Sequence, residues 1–168
     1  MKRDEILAKL AVKFPQVVFR LSHENSDGVY LPSGIIPQVA EFLKNDPELA
    51  FDLMNYMTAI DYISEFELVY HFSSLLAKHH LVLKTQVDRQ SPQVPTLALI
   101  YPTADWFERE VFDLFGVEFT GHPDLTRIMM PDDWAGHPMR KDYVHENLIP
   151  LPTGSGPVIA DHTGHKAD

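Results

Sequence analysis

Two alternating runs lying close together constrain this chain more than any other feature. From Phe66 to Ser73, the residues Phe66, Leu68, Tyr70 and Phe72 alternate with Glu67, Val69, His71 and Ser73; from Leu81 to Val87, Leu81, Leu83 and Thr85 alternate with Val82, Lys84 and Gln86. Successive side chains of an extended strand point to opposite faces, so a period of two reads as a strand with one buried face. Leu75 to His79 leaves room only for a tight link, and His79-His80 then reads as a hairpin-end pair. The two strands pair antiparallel.

The remaining segments read as the elements around this hairpin. Ile6, Leu7, Leu10, Ala11 and Phe14 recur at helical spacing, and Pro15 ends that helix. Val17 to Leu21 reads as a strand, Asn25 to Gly28 as a turn and Val29 to Leu31 as a second strand. Ser33 and Gly34 lead into a helix from Ile35 to Lys44, stopped by Asn45-Asp46-Pro47, which gives a β-turn-β-α opening. Phe51 to Met57 reads as a strand followed by a connection carrying Asp61, although Leu53, Met54, Met57 and Ile60 also fit a helix. Asp88 to Pro95, polar with two prolines, reads as a loop, and Thr96 to Ile100 fits either a strand or a helix. The sum is an α+β domain over residues 1–143, with helices packed on one face of a mixed, mostly antiparallel sheet. Residues 144–168 read as an extended C-terminal arm: Leu148 to Pro152 is apolar and prolyl, as expected of a segment draped over a partner, and from Thr153 onward the chain reads either as more of that arm or as a frayed terminus.

The stretch YPTADWFEREVFDLFGVEFTGHPDLTRIMMPDDWAGHPMRKDY, Tyr101 to Tyr143, carries most of the chemistry. Thr103 is placed to cap a helix, Asp105 complements its positive end, and Gly116 supplies the left-handed stop, so the spacing predicts a helix from Thr103 to Phe115. Trp106, Phe107, Val111, Phe112, Leu114 and Phe115 spread around a wide apolar arc, with Glu108, Arg109 and Asp113 in the remainder. Glu110 falls between Trp106 and Leu114, where a carboxylate needs a cation or several donors. Arg109 and Asp113 are spaced to pair along the helix. Val117 to Phe119 reads as a short strand, and Pro131 to Trp134 as a turn. The tripeptide Gly-His-Pro occurs at His122 and again at His137, both in stiff extended turns.

Charge and composition then exclude whole classes. The 168 residues carry a formal net charge of -10, so no basic surface dominates to displace the counterions of a nucleic acid. The absence of cysteine rules out disulfides, thiolate zinc sites and all-cysteine iron–sulfur clusters in this chain. No run approaches the ~20 apolar residues of a membrane span, and Met1 to Glu5 leads into an amphipathic segment rather than a secretory one, so the expectation is a cytoplasmic protein that meets a membrane only through partners.

His122, His137, Asp132 and Asp133 are spaced so that a His/carboxylate metal site is conceivable, but no His-Glu-x-x-His pattern accompanies them. Each histidine is explained by its own turn, so the metal signal is weak, and His162 and His165 read as solvated. No phosphate-binding glycine loop and no nucleophile elbow is present. Arg127, Arg140 and Lys141 concentrate positive charge in an acidic chain, beside Met129, Met130, Trp134, Met139 and Tyr143. This is the company found at protein interfaces, though Asp124, Asp132 or Glu110 within the fold would serve the arginines equally.

The strings WFEREVFDLFGVEFTGHPDL and RIMMPDDWAGHPMRKDY closely resemble the signature of the 30-kDa subunit family of respiratory complex I, the bacterial proton-pumping NADH:quinone oxidoreductase. The close resemblance covers roughly a quarter of the chain. It implies a non-catalytic structural subunit of the peripheral arm, on the cytoplasmic side of the bacterial inner membrane, packed against the 49-kDa (D) subunit near the quinone end of the electron path. It implies no cofactor in this chain, with FMN and iron–sulfur clusters in partner subunits. On this reading Glu108, Arg109, Glu110 and Asp113 form internal ion pairs that fix the signature helix, while His122, Arg127, His137, Arg140 and Lys141 anchor the following loops on the partner. The alternatives are the equivalent subunit of a membrane-bound hydrogenase or another-donor complex, and, from a different class, a stand-alone metal-dependent enzyme using the histidines and aspartates.

Overall fold

The alternating runs form the two central strands of a five-stranded sheet. In the computed structural model, which describes residues 1–22 and 28–144, the elements are α1 (Arg3–Lys13), β1 (Arg20–Leu21), β2 (Gly28–Tyr30), a 3-10 turn (Ser33–Ile35), α2 (Ile36–Asn45), β3 (Leu53–Asp61), β4 (Glu65–Ser74), β5 (His79–Asp88), β6 (Gln93–Pro95), α3 (Pro102–Phe115) and β7 (Glu118–Thr120). The sheet order is β1-β2-β5-β4-β3, antiparallel throughout except where β2 runs parallel to β5. The expected α+β architecture with a mostly antiparallel sheet is therefore the one found. The expected turn from Asn25 and the C-terminal arm with Leu148 to Pro152, His162 and His165 lie outside the described residues, apart from Gly28, which opens β2.

Phe66, Leu68, Tyr70 and Phe72 of β4 and Leu81, Leu83 and Val87 of β5 share one core with Ile6 and Leu10 of α1, Ile36, Val39, Ala40 and Leu43 of α2, and Ala104, Val111 and Phe115 of α3. Each fully buried Val, Leu, Ile or Phe side chain among them contributes roughly 1.5–3 kcal/mol from removal of apolar surface from water. Tyr101, just ahead of α3, donates its hydroxyl to the carbonyl of Phe51 at 2.8 Å and packs on Phe72, so the start of α3 is pinned to the sheet. On the other sheet face Glu67 is buried and paired with Lys84 at 2.9 Å and with the Tyr30 hydroxyl.

Several boundaries differ from the sequence reading, each for a physical reason. Only Arg20 and Leu21 of the expected Val17–Leu21 strand are extended, because β2 offers them just two partners, Tyr30 and Val29. The strand expected over Phe51–Met57 begins at Leu53 and continues to Asp61, paired with β4 out to Phe66. Asp61 therefore ends a strand rather than sitting in a connection, and its carboxylate accepts the N–H of Ile63 at 2.7 Å across a turn in which Ile63 has φ 72. The expected loop from Asp88 to Pro95 contains β6, which pairs parallel with β7 through Gln93–Glu118, Val94–Phe119 and Pro95–Thr120. Residues 96–100, open between strand and helix, are neither; Leu97 closes a turn by accepting the N–H groups of Ile100 and Tyr101 at 2.8 Å.

Candidate functional site

The site is built on α3. Its residues Ala104, Glu108, Val111 and Phe115, spaced i, i+4, i+7 and i+11, face the sheet, with Asp113 also buried. That facing overturns part of the helical-wheel expectation. Glu110 is exposed and Trp106 is 60% exposed, whereas Glu108 is fully buried. The apolar arc of the wheel centres on the aromatic side chains, but the surface available against β3 accepts the small Ala104 and leaves Trp106 outside, where Arg109 stacks over its ring at 5.2 Å. Thr103 does not cap: Tyr101 takes the N-cap position, Pro102 starts the helix, and the Thr103 hydroxyl points to the carbonyl of Met54 at 3.4 Å.

Glu108 satisfies its carboxylate without a full ion pair. One oxygen accepts the Thr96 hydroxyl at 2.5 Å, the other accepts the Leu97 N–H at 2.6 Å, and the closest cationic candidate, His122 Nε2, stands 4.0 Å away. Burial raises this carboxyl to about 7, with the two hydrogen bonds opposing and Asp105 adding to the rise. His122, whose side chain is itself fully buried, accepts the Asp124 N–H on Nδ1 at 3.1 Å. Nε2 then carries the proton and faces both the side-chain oxygen of Asp105 at 3.2 Å and its carbonyl at 3.3 Å. The first Gly-His-Pro turn is thereby fastened to the first turns of α3.

The far end of α3 is fastened by the second. A helix leaves its last four carbonyls without intrahelical partners. Here Phe112 O accepts the Gly116 N–H at 2.9 Å, Asp113 O accepts from His137 Nδ1 at 2.9 Å, Leu114 O accepts the Met139 N–H at 3.0 Å, and Phe115 O accepts Arg140 Nε at 2.7 Å. Gly116 has φ 74, and a Cβ there would sit 2.5 Å from the His137 ring and 2.8 Å from the Arg140 guanidinium, so both conformation and space require glycine. Burial together with the nearby Arg140 and Arg127 charges holds the His137 imidazole below its ordinary pKa, although its bond to Asp113 works the other way.

Between the two turns, Asp113 organises residues 127–130. One oxygen meets Arg127 at 2.9 Å, and the other accepts the N–H groups of Ile128, Met129 and Met130 at 3.1, 2.7 and 2.9 Å. Burial alone raises a carboxyl, but these three amides and Arg127 reverse the effect and leave it below 3.8. The expected Arg109–Asp113 pair is absent because each has a better partner. Arg109 donates to the carbonyl and hydroxyl of Thr126 at 3.1 and 2.8 Å, and Arg127 donates from its second nitrogen to Gly136 O at 3.1 Å. Arg127 and Arg140 thus serve this fold, through Asp113 and the helix end rather than through Asp124, Asp132 or Glu110.

A second junction is not legible in the sequence. Arg89, at the end of the β4–β5 hairpin, grips Asp61 with two bonds at 2.9 and 3.0 Å and also binds Asp142, while the Lys141 N–H donates to Asp61 at 2.9 Å. Against the effect of burial, Arg89 and the amides of Lys141 and Ile63 bring Asp61 down to about 2. The Lys141 ammonium lies 6.0 Å from the centre of the Tyr62 ring. Nothing local marks Arg89, since Asp142 is 53 residues away in sequence. Of the sequence-derived set, Glu108 and His122 gather at one end of α3, Asp113, Arg127, His137 and Arg140 at the other, and Arg109, Glu110 and Lys141 stand at the surface. His122 is held at Asp105 and His137 at Asp113, anchors about 12 Å apart along a helix rising 1.5 Å per residue, so the His/Asp metal set does not assemble, and among the described residues no group of three or more His, Cys, Asp or Glu could hold a metal.

Beside the exposed Glu110, Asp132, Asp133 and Lys141, α3 and its clasp leave three large apolar side chains outside: Trp106, Met129 at 62% and Met139 at 55% exposure. No helix among the described residues is long and apolar enough to cross a membrane.

Comparison with known proteins places this geometry. Residues 29–147 match the family model described as the respiratory-chain NADH dehydrogenase 30-kDa subunit. The NADH-quinone oxidoreductase (C) subunit of Roseiflexus castenholzii is 42% identical over 141 residues, 82% of this chain and 81% of that one. Its counterpart of the same description in Herpetosiphon aurantiacus is 40% identical over 145 residues, 84% of each chain. Among solved structures, a chain of an archaeal respiratory complex, the membrane-bound sulfane sulfur reductase, superposes with a TM-score of 0.69 at 30% identity, covering 86% of both chains. A trypsin-resistant fragment of Nqo5 shares the fold, with a TM-score of 0.52 at 23% identity over 74% of this chain and 100% of the fragment. By the match over residues 29–147 and the identity along most of its length, this chain belongs to the family of the respiratory-chain NADH dehydrogenase 30-kDa subunit.

Proposed function

We propose that this chain is a structural subunit in the peripheral arm of a bacterial proton-pumping NADH:quinone oxidoreductase, on the cytoplasmic side of the inner membrane, and that it packs against the 49-kDa (D) subunit near the quinone end of the electron path. Its own side chains do no redox chemistry. FMN and iron–sulfur clusters belong to partner subunits, in keeping with a sequence that lacks cysteine. The observation that carries this reading is the clasp itself. A buried carboxylate, Asp113, holds residues 127–130 in an irregular conformation by binding three consecutive N–H groups and leaves Met129 exposed, and the cap of α3 holds the Met139 N–H while leaving its side chain exposed. Hydrogen-bonded backbone that presents exposed methionines, next to a helix that presents an exposed tryptophan, has the composition of an interface core.

Purification through a tag on this chain from gently solubilised membranes, with identification of the co-purifying subunits, tests the assignment. Flavin and iron–sulfur subunits with NADH oxidation are expected. The 30% identity to the sulfane sulfur reductase chain favours one second reading, the equivalent subunit of a complex with another electron donor. Recovery of that other set of subunits would select it, and recovery of the chain alone would overturn both.

A further inference from the structure

The two edges of the five-stranded sheet differ sharply. β1 is two residues long, whereas β3 is nine residues long, carries no charge before Asp61 and contains no proline. A long, uncharged edge offers a row of unpaired N–H and C=O groups, which soluble proteins ordinarily blunt with charge, proline or brevity. The one irregularity of β3, between Met54 and Tyr56, lies near its start, and residues 56–61 then run in unbroken register against β4 from His71 to Phe66. Among the described residues, no hydrogen bond other than those to β4 reaches the backbone of residues 55–60; the Thr103 hydroxyl stops at the carbonyl of Met54.

The side chains along this edge are apolar and held. Tyr56 and Ile60 are exposed, with Thr58 between them, and the Tyr56 ring lies flat on His71 of β4 with ring centres 5.0 Å apart. Tyr62 and Ile63 carry the exposed apolar surface past the end of the strand. Both ends of the edge also join the surface read above as an interface. Met54 meets Thr103 in the first turn of α3, just ahead of the exposed Trp106, and Asp61 holds the N–H of Lys141, just beyond the exposed Met139.

Only another extended backbone matches a row of free strand N–H and C=O groups. Two copies of this edge laid side by side would share a strip only roughly 17 Å long, far short of the ~1,200 Å² that a specific interface buries on its own. A strand of a subunit already seated on the clasp has no such shortfall, because the edge then extends a contact made elsewhere. We infer that β3 is a strand-addition site: an extended, uncharged segment of the subunit that covers the clasp pairs main chain to main chain along residues 56–60, its apolar side chains packing beside Tyr56 and Ile60. The inference rests on the subunit reading above and deepens it.

A photo-reactive phenylalanine analogue placed at Tyr56, Thr58 or Ile60, one position at a time, tests it in the purified complex, with the attachment points mapped by mass spectrometry. The expected products join all three positions to one segment of one partner subunit, and the attachment point moves along that segment by about two residues for each two-residue step in β3, as paired strands require. Thr58→Lys, on an exposed position, should leave unfolding of the isolated chain unchanged and lower those products several-fold. A complete complex in which the three positions react only within their own chain, with a second copy of it, or with partner residues in no such order overturns the strand addition and leaves the subunit assignment intact. Failure to recover any partner contradicts the assignment itself.

Discussion

Asp113 and Arg127 meet at 2.9 Å across a carboxylate with no exposed surface, and the other oxygen of that carboxylate takes three consecutive backbone N–H groups. A single acidic side chain thus fixes both a helix end and the loop that follows it. Replacing Asp113 by Asn leaves Arg127 without its charge partner and the amides underbonded. The expected loss is roughly 3 kcal/mol of stability, since breaking a buried pair from one side strands the other charge. Urea unfolding of the isolated chain near neutral pH measures it. Because the folded-state pKa lies below 3.8, this contribution is fully present above that value and is lost as pH falls through the lower folded value. The difference between wild type and variant should accordingly shrink in acid.

Glu108 has the opposite sign. Burial lifts it from 4.5 to about 7, so across that window the folded chain holds a proton that the unfolded chain has released. Folding stability must therefore fall as pH rises through it. Glu108→Gln keeps acceptor and shape without the titration. Relative to this variant, the wild type should lose roughly 2–3 kcal/mol between the two ends of the window. Parallel pH profiles of the two proteins, or a rising profile for the wild type, would remove the buried-carboxyl account.

Gly116→Ala places a methyl group 2.5 Å from the His137 ring in a left-handed backbone conformation. A cost of about 2 kcal/mol or more is expected, combining the left-handed strain with displacement of the clasp. Gly34→Ala is the control, since nothing lies within 4 Å of the Cβ it would add. Thermal unfolding of the two variants should separate them clearly, at about 2–4 °C per kcal/mol for a chain of this size.

Glu110 stands exposed, so Glu110→Gln should leave the isolated chain within about 0.5 kcal/mol of wild type. If its carboxylate serves the partner, assembly falls while the turnover of whatever assembles stays normal. Normal assembly with lost turnover would contradict the structural role.

The central hairpin and the end of α3 are legible because each is written locally, in the period of two from Phe66 to Val87 and in a glycine that stops the helix. The facing of α3 is not. Six aromatic or aliphatic residues point the wheel one way, and only the shape of β3 decides that Ala104 and Glu108 go inward. The second Gly-His-Pro turn can be seen as a turn, but its task of closing the helix carbonyls depends on residues 113–115 lying beside it in space. Arg89 joins Asp61, 28 residues before it, to Asp142, 53 residues after it, with no local pattern to announce the junction. The pairing of β6 with β7 escapes because three residues ending in proline carry almost no periodicity.

The most direct measurement of the central claim uses the double variant Met129→Asp, Met139→Asp, which alters only exposed side chains of the clasp. Its unfolding in isolation should match the wild type, and native electrophoresis of membranes expressing it should show the chain missing from the assembled complex, with NADH:quinone activity reduced in proportion. A stable variant that enters the complex at the wild-type level, with normal activity, would contradict the assignment of this surface as the one that meets the neighbouring subunit.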